Sequence, residues 1–340
     1  MKVLTFGEMM LRLKTPNNER ILQTQSFEAS YGGAEANVAI SLALLGNDVA
    51  YLSKFPNNLL GTAAENTLKK YGVDTTKILK GEGRIGTYYF EKGASVRATN
   101  VIYDRKGSVL EQAKAEEFDW SAIFSDVDYF YLSGITPAIS KEMQKACLAA
   151  CVYCNEHDIP IACDLNYRGK MWSTDEAQEM MSTMMQYVTI CIAHDEDFEA
   201  TLGIPAFDGD SSRGIAQKET FKAAMREVQE RYPNIKMVAS VLRNIYSVED
   251  SQWSALLLND DTFYETPVYD VHVMEGVAAG DAFGAGLLHG ILHHFDNQKL
   301  IDFALSASLL KLTITGDLNL VSEEEILAGM NSNAASRLSR

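Results

Sequence analysis

The chain has 340 residues, 46% of them apolar and 22% charged, an ordinary globular balance with enough apolar mass for a sizeable core. That length suits one large domain with a small excursion better than two full-sized domains. Thirty Lys and Arg against 46 Asp and Glu leave a net charge of −16, a surface that repels polyphosphates and excludes nucleic acid and anionic membrane as expected partners.

KVLTFG, residues 2–7, reads as a buried strand closed by Gly7. An alternating stretch from Arg20 reaches Gly32 and Gly33, which precede a helical pattern, AEANVAISLALLG, closed by Gly46. VAYLSKF is a strand, and GTAAENTLKKYG a helix ending at Gly72. From Gly86 to Tyr103 the aromatic and β-branched residues predict a hairpin. Strands and helices then alternate through DYFYLSG, the helix KEMQKACLAACVYCNEH, IPIACDLNY, a Met-rich helix, YVTICIAHDEDFEATLG, a helix near 218–231, IKMVASVL and WSALLLND. GVAAGDAFGAGLLHGIL and QKLIDFALSASLLKLTITG close the pattern as helices. The alternation predicts an α/β fold with a mainly parallel sheet sandwiched by helices. The β-rich segments about 20–31 and 86–103 predict a small separate sheet over one edge, and residues 203–219 a flexible loop. No apolar run approaches the ~18 residues of a membrane span, and the first residues lack a cleavage site, so a cytoplasmic protein is expected.

Two glycine patterns invite a nucleotide reading. GEGRIG, residues 81–86, fits G-x-G-x-x-G but precedes a β-like segment rather than a helix, so it reads as a turn. Neither G-x-x-x-x-G-K-[ST] nor G-x-S-x-G occurs. His289 and His293 are spaced i, i+4 without the Glu of H-E-x-x-H and read as an exposed helix face. Cys147, Cys151 and Cys154 fall on one helical face and read as buried core thiols in a reducing compartment. In AAGDAFGAG, Ala278, Ala279 and Gly280 let backbone approach a ligand, and unpaired N–H groups at a helix start favour phosphate. Taken alone, Asp281 reads first as a helix cap worth roughly 1 kcal/mol.

GGAEANVAISLALLG together with AAGDAFGAG resembles the two signatures of the ribokinase-like (PfkB) carbohydrate kinases. Gly32, Gly33 and Asn37 match the first, and Ala278, Ala279, Gly280 and Asp281 the second. The resemblance implies one ribokinase-like domain over 1–340, with a β-sheet lid from about 12–33 and 84–108. YGGAEANVA, YLSGITPAIS, DLNYRGKMW and TGDLN resemble the 2-keto-3-deoxygluconate kinase branch. By that resemblance Gly32, Gly33, Ala34, Asn37, Tyr88, Tyr103, Arg105, Ile135, Arg168, Asp281 and Asp317 hold the sugar acid. Asn166, Arg168, Arg243, Ala278 and Gly280 meet ATP, which comes with Mg2+. Ala278, Ala279 and Gly280 form an anion hole, and Asp281 is the base.

The implied reaction is ATP-dependent phosphorylation of the terminal hydroxyl of 2-keto-3-deoxygluconate, with a homodimer or higher homo-oligomer formed through the lid. Two anions meeting in a chain of net charge −16 need local arginines, the place of Arg105 and Arg168. An Asp near pKa ~4 is too weak to ionise an alcohol beforehand, so Asp281 is expected to act late. Three positions depart from the pattern. Glu275 and Gly276 stand where the family has Asp and then Thr, Pro or Arg, and Ala278 where many members have Gly. The glycine-rich strand turn of many relatives is missing around Arg243. A kinase of another sugar (fructose, ribose or a nucleoside) and a non-catalytic sugar or nucleotide sensor remain open readings.

Overall fold

The computed structural model describes residues 1–194, 196–207, 210 and 212–330. In chain order the first part forms β1 (Lys2–Phe6), β2 (Met10–Lys14), β3 (Glu28–Gly32), α1 (Ala34–Leu44), β4 (Asp48–Leu52), β5 (Lys54–Pro56), α2 (Leu59–Lys70), β6 (Leu79–Gly81), β7 (Thr87–Glu91) and β8 (Asn100–Asp104). Then come α3 (Trp120–Ile123), β9 (Tyr129–Ser133), α4 (Ile135–Ala138), α5 (Lys141–Glu156), β10 (Ile161–Asp164), α6 (Thr174–Met184), β11 (Ile190–His194), α7 (Asp197–Leu202) and α8 (Lys218–Arg231). The last part holds β12 (Met237–Ile245), β13 (Asp250–Asn259), β14 (Thr262–Glu265), β15 (Tyr269–His272), α9 (Ala279–Leu292), α10 (Asn297–Lys311) and α11 (Glu323–Gly329).

Strands β4, β1, β9, β10, β11 and β12 run side by side and parallel; β13 joins β12 antiparallel and pairs antiparallel with β14 and β15. A parallel strand covered on both faces needs apolar side chains at successive positions. β1 meets that need: Val3 joins a cluster with Ile40, Tyr51 and Phe283, whereas Leu4 and Phe6 join another with Leu132, Cys147 and Met181. Helices α1, α9 and α10 cover the first face, and α5, α6 and α8 the second. The cysteine face of α5 is buried as expected, and all five thiols are free. Burial pushes the Cys151 thiol up to about 12, which makes it inert at neutral pH.

The small sheet is separate, in the order β3-β2-β7-β8, with β2 and β7 parallel and both outer pairs antiparallel. Its strands are shorter than the alternating segments suggested, because β3 begins only at Glu28.

Other expectations need correction. α10 stops at Lys311 rather than running on to Gly316, since Thr313, Ile314 and Thr315 are β-branched and poor helix formers. The loop at 203–219 includes a 3-10 turn over Gly214–Gln217, and α8 begins at Lys218; residues 208, 209 and 211 lie outside the described residues. His289 is not on an exposed face. It is fully buried, stacked on Phe303, with Nδ1 3.0 Å from Asn47 Nδ2. Among the described residues no helix is long and apolar enough to cross a membrane.

Candidate active site

In open α/β sheets the crevice beyond the carboxyl ends of parallel strands is where ligands bind. Here Glu8 follows β1, Ile135 follows β9, Asn166 and Arg168 follow β10, and His194 ends β11. With β7, β8 and the start of α9 they enclose a cavity of about 360 Å³, a size suited to a small metabolite. Gly33, Ala34, Asn37, Tyr88, Tyr103, Arg105, Ile135, Asn166, Arg168, Arg243, Ala278, Ala279, Gly280, Asp281 and Asp317 all line it. Gly32 is the exception. It stands behind the wall, where a Cβ would lie 2.6 Å from Asp317 Oδ2, so its lack of a side chain lets Asp317 sit close.

Gly33 precedes α1 in extended backbone, and a Cβ there would lie 2.1 Å from the Glu8 carbonyl oxygen. Only glycine allows that approach, which brings the start of α1 to the end of β1. Two side chains of this helix then do separate jobs. Glu35 is buried and accepts bonds from Ser133 Oγ (2.6 Å) and Thr136 Oγ1 (2.8 Å), fixing α1 against β9 and α4. Asn37 accepts from Gly33 N (3.4 Å) and donates from Nδ2 to Asp281 Oδ2 (2.7 Å).

Asp281 is therefore not the cap. Helix α9 begins at Ala279, the cap position is Ala278 in the left-handed region (φ 62, ψ 14), and no side chain caps it. The backbone N–H groups of this first turn stay available for an anion. Asp281 is buried; burial first and the nearby Glu35 second push its pKa up to about 7, against the Asn37 bond and Arg168. A carboxyl raised in this way exchanges its proton near neutral pH, rather than near the ordinary aspartate value of about 4 expected from the sequence.

Around this turn lie groups that sequence reasoning missed. The Nε2 of His194 has no hydrogen-bond partner, and a Cβ on Gly280 would stand 3.2 Å from it. Burial, with Arg243 and Arg168 adding to it, pushes His194 down to about 3, so the ring is neutral. Its 3.9 Å approach to Asp164 is then not an ion pair. Asp164 itself is held well above the usual carboxylate range by burial and by Asp197, while its Oδ2 accepts from Asn166 (3.1 Å). Arg168 donates to the Tyr167 carbonyl (2.9 Å). Arg243 lies over the Trp253 ring at 5.3 Å.

At the other end, Tyr88 and Tyr103 face each other across β7 and β8, with ring centroids 6.0 Å apart. Tyr88 donates to Asp317 Oδ2 at 2.8 Å. Arg105 turns toward the cavity. Its Nε (2.9 Å) and Nη2 (2.5 Å) both reach Glu8 Oε2, and Ser108 donates to Glu8 Oε1 (2.5 Å). Glu8 and His194 each stand at or just beyond the end of a parallel strand, and that position was the signal available in the sequence.

The off-pattern residues also find a reason. Glu275 is buried against Arg12 and Lys14 of β2, with the Lys14 Nζ 3.0 Å away. Burial alone would raise its pKa, but those two cations hold it below the usual range. A Cβ on Gly276 would make only an ordinary contact, 3.7 Å from Val273 Cγ1.

A helix start with free amides, a carboxylate of raised pKa beside it and arginines at both ends form a site for transferring a phosphoryl group to an alcohol. The chain matches the model of the pfkB family carbohydrate kinases over residues 1–323 and belongs to that family. A 2-dehydro-3-deoxygalactonokinase of Haloferax volcanii is 31% identical over 330 residues, 96% of this chain and 95% of that protein. The crystal structure of a 2-dehydro-3-deoxygluconokinase from Thermotoga maritima superposes with a TM-score of 0.92 at 42% identity, covering 97% of this chain and 98% of that one. A fructokinase from Xylella fastidiosa with bound ATP shares the fold, with a TM-score of 0.74 at 19% identity over 98% of this chain and 99% of that one.

Proposed function

We propose that this carbohydrate kinase transfers the γ-phosphoryl group of ATP to the terminal hydroxyl of 2-keto-3-deoxygluconate or of its galactonate epimer. The observation that carries the reading is Asp281, a buried carboxylate with its pKa near 7, one helical turn from the left-handed Ala278. Two relatives at 31% and 42% identity are named as 2-dehydro-3-deoxygalactonokinase and 2-dehydro-3-deoxygluconokinase.

The sugar acid lies between Gly33, Ala34, Tyr88, Tyr103, Ile135 and Asp317, with its carboxylate toward Arg105. Glu8 takes the Nε and Nη2 side of that guanidinium; Nη1 donates one N–H to Met171 Sδ (3.1 Å) and keeps the other for a substrate carboxylate. The terminal hydroxyl points to Asp281. Asn37 occupies Oδ2, which leaves Oδ1 to take the hydroxyl proton as the oxygen attacks the γ-phosphorus. The bond from that phosphorus to the bridging oxygen breaks, and ADP leaves with the electron pair. Amides of Ala279, Gly280 and Asp281, with Arg168 and Arg243, receive the charge that spreads over the phosphoryl oxygens. The neutral His194 and Asn166 complete this end as uncharged donors.

Among the described residues no three His, Cys, Asp or Glu side chains are placed to hold a metal ion. Mg2+ fits this site as an ion carried on the nucleotide's phosphates and waters, where it would neutralise phosphate charge. The small sheet serves as a lid over the sugar, excluding water, and its two edge strands, β3 and β8, are where copies of the chain pair as a homodimer or higher homo-oligomer.

The Glu8–Arg105 pair favours a second reading, a kinase of a neutral sugar, because Glu8 offsets the charge meant for a carboxylate. An ADP-release assay with both keto-deoxy sugar acids, fructose, ribose and a nucleoside separates the two. Turnover of a sugar acid at least about 10²-fold above the neutral sugars supports the first. Equal or preferred turnover of fructose or ribose replaces it with the second.

A further inference from the structure

We infer that Arg12 and Glu275 are positioning residues, a buried pair through which the small sheet sets the place of the phosphate-binding turn. The inference rests on the kinase reading and extends it to two residues remote from the reacting atoms. The turn Gly276–Ala278 precedes α9 and carries the left-handed Ala278. Among the described residues no amide of Gly276, Val277 or Ala278 donates a hydrogen bond within the protein. The turn is therefore held from its two ends, by α9 on one side and by Glu275 on the other.

Glu275 is tied on every side. Its amide and that of Met274 both donate to Leu312 O (3.3 and 2.8 Å). Its Oε1 accepts from Gly316 N at 3.1 Å and from Arg12 Nη2, and its Oε2 lies 3.0 Å from Lys14 Nζ. Arg12 is 1% exposed, lies over the Phe90 ring at 4.2 Å, and extends Nη1 to Asp317 Oδ2 at 3.5 Å. Asp317 Oδ2 in turn accepts from Tyr88, so a continuous polar chain runs from the cavity wall through Asp317, Arg12 and Glu275 into the turn. A second contact runs parallel to it: Val277 packs on Met10, Tyr88 and Phe90 of the small sheet. A ligand that seats the sheet at Tyr88 and Asp317 thereby fixes β2, and β2 fixes the turn that receives the phosphate. Occupancy at one end then favours the competent geometry at the other.

The test uses the full-length protein and the variants Glu275→Gln and Arg12→Gln/Glu275→Gln, the second of which removes both charges of the pair together. Turnover is normalised to folded protein by active-site titration. Affinity for an ATP analogue that cannot transfer its γ-phosphoryl group is measured calorimetrically with and without the best substrate of the assay panel. Expected in both variants is a kcat lower by about 10- to 100-fold, the scale of a small misplacement, and in Glu275→Gln the affinity of the nucleotide-free protein for the sugar should change less than about threefold. The gain in nucleotide affinity that the sugar confers on the wild type should vanish. A folded variant with wild-type kcat and an intact gain overturns the proposal, as does a kcat loss that normalisation removes. Hydrogen exchange of residues 10–14 on adding ATP needs no knowledge of the sugar. Protection in the wild type but not in Glu275→Gln supports the link, and equal protection in both refutes it. If no sugar acid turns over in the wild type, the substrate assignment falls, and the exchange result still decides the role of the pair.

Discussion

Asn37 and Asp281, 244 positions apart in the chain, meet through a 2.7 Å hydrogen bond from Nδ2 to Oδ2. Asn37 rides on the first turn of α1 and Asp281 on the first turn of α9, so the bond joins two helix starts over one cavity. It stabilises the charged form of a carboxylate that burial and Glu35 push toward the neutral one. The balance leaves Asp281 near neutrality, and the pH behaviour of the enzyme should follow from it.

With the Asp281 pKa at about 7, the base is protonated on the acid side, so kcat/KM should rise with pH through about 7 and level off above it. A limb near pH 4 in the pH–rate profile would show that Asp281 titrates as an ordinary surface acid. Asp281→Asn should lower kcat by roughly 10²–10⁴-fold, the usual contribution of a general base, while sugar binding persists in calorimetry. Turnover close to that of the wild type would remove Asp281 from its role.

The same shift sets a stability difference. A carboxyl raised from 3.8 to about 7 in the folded state destabilises the fold increasingly as pH climbs from about 4 to about 7, and by as much as about 4 kcal/mol above that. Asp281→Asn should therefore melt higher than the wild type at pH 8, with little difference near pH 4. Equal melting temperatures at pH 8 would show that the charge is not penalised.

Asn37→Ala removes the bond that favours ionised Asp281 and frees its orientation. The acid limb should move to higher pH and kcat should fall, with the nucleotide KM nearly unchanged. An acid limb that stays in place or moves down would contradict the geometry.

Ala278 sits at φ 62, a conformation that costs a residue with a Cβ roughly 1 kcal/mol more than glycine. Ala278→Gly should raise stability by about that amount in urea titration, unless added freedom in the unfolded chain offsets it. Activity should be retained, because the amides that meet phosphate keep their positions. A destabilisation of more than about 1 kcal/mol would mean the methyl group packs usefully.

Arg105→Ala should raise KM for a keto-deoxy sugar acid by about tenfold or more, the worth of a charge-assisted hydrogen bond, and leave KM for neutral sugars nearly alone. An unchanged KM for the acid would assign Arg105 to Glu8 alone, as a structural ion pair.

The alternating strands and helices, the cysteine face of α5 and the glycines that open α1 were legible because each depends on neighbours a few residues away. So was the position of Asp281, whose small-residue turn is a local pattern. Its departure from capping was not, since a cap preference is a local average and the bond from Asn37 comes from the far end of the chain. Glu275 read as a defect because its partners, Arg12 and Lys14, sit on a strand more than 260 residues earlier. His289 read as exposed because its i, i+4 spacing to His293 says nothing about Phe303 or Asn47.

Local periodicity and turn chemistry were thus enough to specify the layers of the fold and the small-residue turn ahead of α9. The strength of the base, the pairing of Arg105 with Glu8 and the link from the small sheet to the turn came only with folding. Each is a sum over charges, desolvation and contacts from elements distant in the chain, and no short window of sequence contains that sum.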